Sequence, residues 1–92
     1  MELYQAEWCP HSHKVRQRLT ELELDVMLRQ VQAEQDDRRD LERATGQREI
    51  PALVADDGGI LVGEDEILPW LERFEEPRDA RRHRAKARAE AS

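Results

Sequence analysis

Apolar positions along the chain change period several times, and each change marks an element. Leu3 and Tyr4, followed by Gln5, make a short strand-like run. Over residues 10–22, Val15, Leu19 and Leu22 fall at spacings of four and three, which places them on one face of a helix. Lys14, Arg16, Gln17, Arg18 and Glu21 occupy its other sides. Over residues 23–31 the period drops to two. Leu24, Val26 and Leu28 alternate with Asp25, Met27 and Arg29, which predicts a strand whose polar face Met27 interrupts. Residues 34–44 are densely charged, and Asp37, Leu41 and Ala44 line up at helical spacing, so a helix here packs thinly. Gly46 is placed to end it as a left-handed residue.

Ile50-Pro51-Ala52-Leu53-Val54-Ala55 reads as a strand with proline near its start, where strands tolerate it. Asp56-Asp57-Gly58-Gly59 is a hairpin turn, and Ile60-Leu61-Val62 the returning strand. Gly63-Glu64-Asp65-Glu66 opens the last helix, its carboxylates complementing the positive end of the helix dipole. Ile67, Leu68, Leu71 and Phe74 form the stripe of that helix, Pro69 falls in its first turn or just beyond, and Pro77 stops it. The order is β-α-β-α-β-β-α. A short strand-helix-strand crossover implies a parallel pair with a right-handed connection. The hairpin adds an antiparallel edge. The expected fold is α/β, a four-stranded mixed sheet with helices on both faces.

Composition narrows this to one small domain: 92 residues, with charged residues at 39% and hydrophobic residues at 38%. The net charge of −6 is unevenly spread. Residues 78–92 carry six basic and two acidic side chains; the first 77 carry nine basic and nineteen acidic ones. So acidic a body repels nucleic acid. The basic Ala/Arg-rich segment 78–92 has no apolar stripe and is expected to be a tail outside a domain spanning 1–77, frayed or helical by propensity alone. Adaptation to high salt would produce the same acidity. With no signal-peptide pattern and no apolar run long enough for a membrane span, the expected setting is the cytoplasm, without membrane attachment.

The candidate chemistry centres on Cys9, the one cysteine of the chain. It follows the first strand and opens the first helix, with Pro10 at a position suited to proline. Unpaired N–H groups and the helix dipole both favour a thiolate there. The alternative is a structural buried cysteine; the polar flanks Glu7, His11 and Ser12 argue for a reactive one. A lone cysteine excludes an internal disulfide and multi-thiolate zinc clusters. Cys9, His11 and His13 sit too close together in sequence to converge on a metal, so no metal site is expected. Trp8 is either core filler or a wall beside the thiol, and Trp70 either packs on the last helix or forms a surface patch behind it.

With these residues in view, the chain resembles the glutaredoxins and, more broadly, the thioredoxin fold. Cys9-Pro10-His11-Ser12 is similar to the glutaredoxin tetrad Cys-Pro-Tyr-Cys. Thr45-Gly46-Gln47-Arg48-Glu49-Ile50-Pro51 is similar to Thr-Gly-x-x-Thr-Val-Pro, whose proline is cis, and Gly63-Glu64-Asp65-Glu66-Ile67 to Gly-x-Asp-Asp-Leu. The likeness covers residues 1–76 and is shared with the N-terminal domain of glutathione transferases. It implies a monothiol, glutathione-dependent thiol–disulfide oxidoreductase acting, as an expected monomer, on glutathione mixed disulfides, with no nucleotide or flavin. Cys9 would be the nucleophile and Ser12 either its hydroxyl donor or a helix cap. His11, Ile50, Pro51, Asp65, Glu66 and Arg38 would bind glutathione: His11 beside its cysteine, the Ile50 backbone paired like an added strand, Asp65 and Glu66 at the γ-glutamyl end, and Arg38 at the glycine carboxylate, with Arg39 and Arg48 as further candidates. Alternatives are a [2Fe–2S] carrier in which two chains share Cys9 and glutathione thiolates, and a binding module without catalysis. Two departures stand out. Ser12 replaces the second cysteine, and Glu7 lies where many members carry a lysine that supports the thiolate.

Overall fold

A computed structural model describes residues 1–77. Its elements are β1 (Glu2–Gln5), α1 (Pro10–Glu21), β2 (Met27–Gln30), a 3₁₀ turn (Gln35–Asp37), α2 (Arg39–Thr45), β3 (Ala52–Val54), β4 (Ile60–Val62) and α3 (Glu64–Leu71). The sheet order is β2-β1-β3-β4. β1 runs parallel to β2, with Gln5 opposite Gln30, and antiparallel to β3, with Tyr4 opposite Ala52. β4 closes an antiparallel hairpin on β3. This is the thioredoxin-like arrangement expected from the sequence.

Alternation along β1 and β3 divides the core between the two faces of the sheet. Leu3 and Leu53 pack on one face with Val15, Leu19 and Leu22 of the α1 segment and with Ile67 and Leu71 of α3. Tyr4 and Ala52 pack on the other face with Leu41, which anchors α2. A fully buried leucine contributes about 1.5–3 kcal/mol relative to an exposed one, so Leu41 is the main apolar hold on that short, charged helix.

Several boundaries differ from the periodicity. Leu24 and Val26 lie before β2, half-buried against the first cluster, and all of Met27–Gln30 is exposed because β2 is an edge strand. The expected helix over 34–44 is broken in two. A 3₁₀ turn precedes Arg38, whose ψ of 55° is not helical, and α2 starts only afterwards. Gly46 ends α2 at φ 77°. β3 begins at Ala52, after a cis Ile50–Pro51 bond. Pro69 lies inside α3, and Phe74 lies beyond its end, where it meets the Trp70 ring edge-on at 5.5 Å. The expectation for the tail lies outside the described residues. Among the described residues, no helix is long and apolar enough to cross a membrane.

Candidate functional site

Cys9 caps the N-terminus of α1 in an extended conformation (φ −87°, ψ 117°), and Pro10 follows at the first helical position. Its N–H donates to the Ala6 carbonyl at 3.1 Å, and its carbonyl accepts the His13 N–H at 3.1 Å. The free thiol is 7% exposed. Burial pushes its pKa up. The Ser12 hydroxyl, the Ser12 and His11 backbone N–H groups and the charge of Arg16 together outweigh burial and bring the thiol below its ordinary value. Ser12 is fully buried; its hydroxyl accepts the Ala6 N–H at 3.5 Å and is among the groups that lower the Cys9 thiol. Trp8, which precedes Cys9 in the chain, stands 61% exposed and is not a core filler.

Glu7 does not act on the thiol as an unopposed charge: its carboxylate pairs with Arg16 at 3.3 Å. His11 is exposed, and its Nδ1 bonds the Glu64 carboxylate at the start of α3. Lys14 Nζ lies 3.5 Å from the other Glu64 oxygen. The bond from His11 chiefly, with help from Lys14, holds the Glu64 carboxyl below its usual value against the opposing effect of burial. The two helix N-termini are thereby joined across the rim of the site. Gly63, at φ 85°, a conformation that suits glycine, donates its N–H to the Pro51 carbonyl at 2.7 Å. Cys9, Ser12, His11, Glu64, Gly63 and the Ile50–Pro51 segment therefore form one connected margin.

The other expected ligand residues part ways. Asp65 is exposed in the first turn of α3. The Glu66 carboxylate accepts the Val62 N–H at 2.9 Å, so it ties α3 to β4. Arg38 needs a correction. It is 5% exposed, and its guanidinium donates to the carbonyls of Gln32 (2.8 Å), Arg48 (2.9 Å) and Ala33 (3.1 Å). It clamps the loops on either side of α2 and is not presented to a ligand carboxylate. Arg39 and Arg48, by contrast, line an open cleft with Glu42 and Arg43.

Three residues at the site are not marked by the sequence pattern. In the sequence Glu64 reads only as a helix-opening acid; its place directly after Gly63 is the available signal. Arg16 reads as polar face, although its spacing of seven from Cys9 puts both on one side of α1. Buried Gln5, which bonds Arg16, carried no sequence signal at all.

Residues 3–78 match the family model described as glutathione S-transferase, N-terminal domain. Among solved structures, the chain is similar to a glutathione S-transferase domain-containing protein of Marinobacter aquaeolei VT8, at 26% identity with a TM-score of 0.70. It is also similar in fold to a glutathione S-transferase of class Gtt2 from Vibrio parahaemolyticus, at 24% identity with a TM-score of 0.63. Each match covers 84% of this chain and 40% of the other, so the chain spans well under half the length of these relatives. No curated protein matches the sequence at a significant level.

Proposed function

The chain belongs to the glutathione S-transferase N-terminal domain family, and from that premise we propose that it binds glutathione and performs thiol–disulfide exchange with it through Cys9. The observation that carries this reading is the Cys9 sulfur at the head of α1, lowered in pKa by the Ser12 hydroxyl and two backbone N–H groups. A cysteine in that setting is a nucleophile towards sulfur.

In the proposed reaction the Cys9 thiolate attacks the glutathione sulfur of a mixed disulfide. A Cys9–glutathione disulfide forms, the original S–S bond breaks, and the substrate sulfur leaves as a thiolate that takes a proton from water. A second glutathione thiolate then attacks the glutathione sulfur of that adduct. Glutathione disulfide is released and Cys9 returns as thiolate. In each cycle one free glutathione is oxidised, the mixed disulfide is reduced to the substrate thiol, and one glutathione disulfide is formed. Ser12 and the backbone N–H groups serve twice, holding negative charge on Cys9 before attack and when it leaves. The route needs no second cysteine.

The margin described above supplies complementary groups for glutathione. The Ile50 backbone precedes β3 in a segment where an extended peptide can pair as an added strand. The α3 N-terminus suits a carboxylate, and Asp65 beside Glu64 suits an ammonium. Arg39 or Arg48, in place of Arg38, is the cation for the glycine carboxylate. The reading places the chain as a monomer in a reducing cytoplasm. Reduction of a small glutathionylated disulfide, coupled to glutathione reductase, tests it. Turnover in the wild type and none in Cys9→Ser is the expected result; no wild-type turnover, or equal turnover in the variant, contradicts it.

A further inference from the structure

The thiol lies in an acidic chain and lacks the neighbouring lysine that the resemblance leads one to expect, yet Arg16 shares a backbone acceptor with Cys9. Arg16 sits two turns along α1 from Cys9. Its Nη1 donates to the Ala6 carbonyl at 3.4 Å, the same oxygen that accepts the Cys9 N–H at 3.1 Å. Nη1 also bonds the Gln5 side-chain oxygen, and Nη2 lies 3.3 Å from the Glu7 carboxylate. Gln5 is fully buried, and its Nε2 donates to the Gln30 oxygen at 2.9 Å on the adjoining strand. A guanidinium can only donate, so Gln5 must turn its oxygen to Arg16 and its nitrogen to Gln30. The amide is thus fixed from both sides, and it fixes the guanidinium.

We propose that Arg16, held by buried Gln5, is the positioning residue that supplies the positive charge for the Cys9 thiolate, and that Glu7 moderates it from outside. The proposal rests on the reading of Cys9 as the reacting nucleophile. Burial decides between the two opposed charges: the Arg16 side chain is 16% exposed and that of Glu7 83%. Water and salt screen the carboxylate far more than the guanidinium, whose field runs through protein. On α3, Glu64 is itself paired with His11 and Lys14 of α1, so its carboxylate is not an unopposed charge at the rim. A purely structural Arg16, stapling α1 to the end of β1, would leave the thiol's titration alone.

Alkylation rate of Cys9 against pH, with no glutathione present, separates these roles. Arg16→Gln is expected to raise the midpoint by about half a unit, less than for an ion in direct contact. Arg16→Lys should restore most of the shift. Glu7→Gln, an exposed change that leaves the fold alone, should lower the midpoint at low ionic strength and lose that effect in high salt. Unchanged midpoints in folded Arg16→Gln overturn the proposal. Should Arg16→Gln fail to fold, Glu7→Gln decides, and an unmoved or raised low-salt midpoint overturns it. A thiol that titrates as expected but never accepts glutathione would defeat the proposed exchange reaction instead and leave this role of Arg16 standing.

Discussion

At the scale of single residues, environment separates side chains that look alike in sequence. Cys9 was legible, because a cysteine followed by proline at a strand-to-helix junction has few structural explanations. Arg38 and Arg39 were not distinguishable, since both are arginines in a charged run. What divides them is burial against three carbonyls that converge from two loops, a long-range property. Arg38→Met should therefore cost about 2–4 kcal/mol in a urea melt, because it strands carbonyls that now accept from a charged donor. Arg39→Met should change stability by less than about 0.5 kcal/mol. Cys9 also makes stability depend on pH. Its folded pKa lies below the ordinary value of 9.0, so the unfolded chain binds the proton more tightly. The thiolate's contribution is fully present above that ordinary value and is lost as pH falls through the lowered folded one. The urea midpoint of wild type relative to Cys9→Ser is accordingly expected to rise with pH across that window; a difference that stays flat would show an unshifted thiol.

Among the elements, order and type were legible wherever a stripe was long or a turn was strongly marked. α1 and its C-cap present Val15, Leu19 and Leu22 on one face, and the Asp56-Asp57-Gly58-Gly59 turn pins the β3–β4 hairpin. Edges were harder. β2 alternates in sequence but lies at the sheet margin, so its apolar residues Met27 and Leu28 face solvent while Leu24 and Val26, ahead of the strand, reach the core. Around α2 local pattern was weakest, because one leucine has to hold a helix whose other positions are mostly charged. Leu41→Ala should cost about 2–5 kcal/mol, at the level of a core leucine elsewhere. It should also loosen the 31–50 region first, seen as faster amide exchange there than in α1. A loss below about 1 kcal/mol would mean that charge pairs, not Leu41, hold α2.

For the whole molecule, the parallel β1–β2 pair, the antiparallel β3–β4 hairpin and the two-sided core follow from the sequence of element types and the handedness of a short crossover. The exclusion of nucleic acid rested on charge alone. The segment that follows α3 is tied back by Arg18, which pairs with Glu21 (3.0 Å), Glu72 (3.3 Å) and Glu76 (3.4 Å). That tie falls within 1–77, so a chain ending at Pro77 should melt within about 1 kcal/mol of the full one, since the residues removed offer little apolar area; a loss of several kcal/mol would make the remainder part of the domain. Because the chain has one cysteine, the intact mass of the protein after exposure to glutathione disulfide reads the central claim without ambiguity of site. One glutathionyl group is expected on the wild type, removed by excess glutathione and absent from Cys9→Ser. A wild-type mass that does not change, under conditions where a small-molecule thiol reacts, would contradict the assignment of Cys9 as a glutathione-exchanging nucleophile.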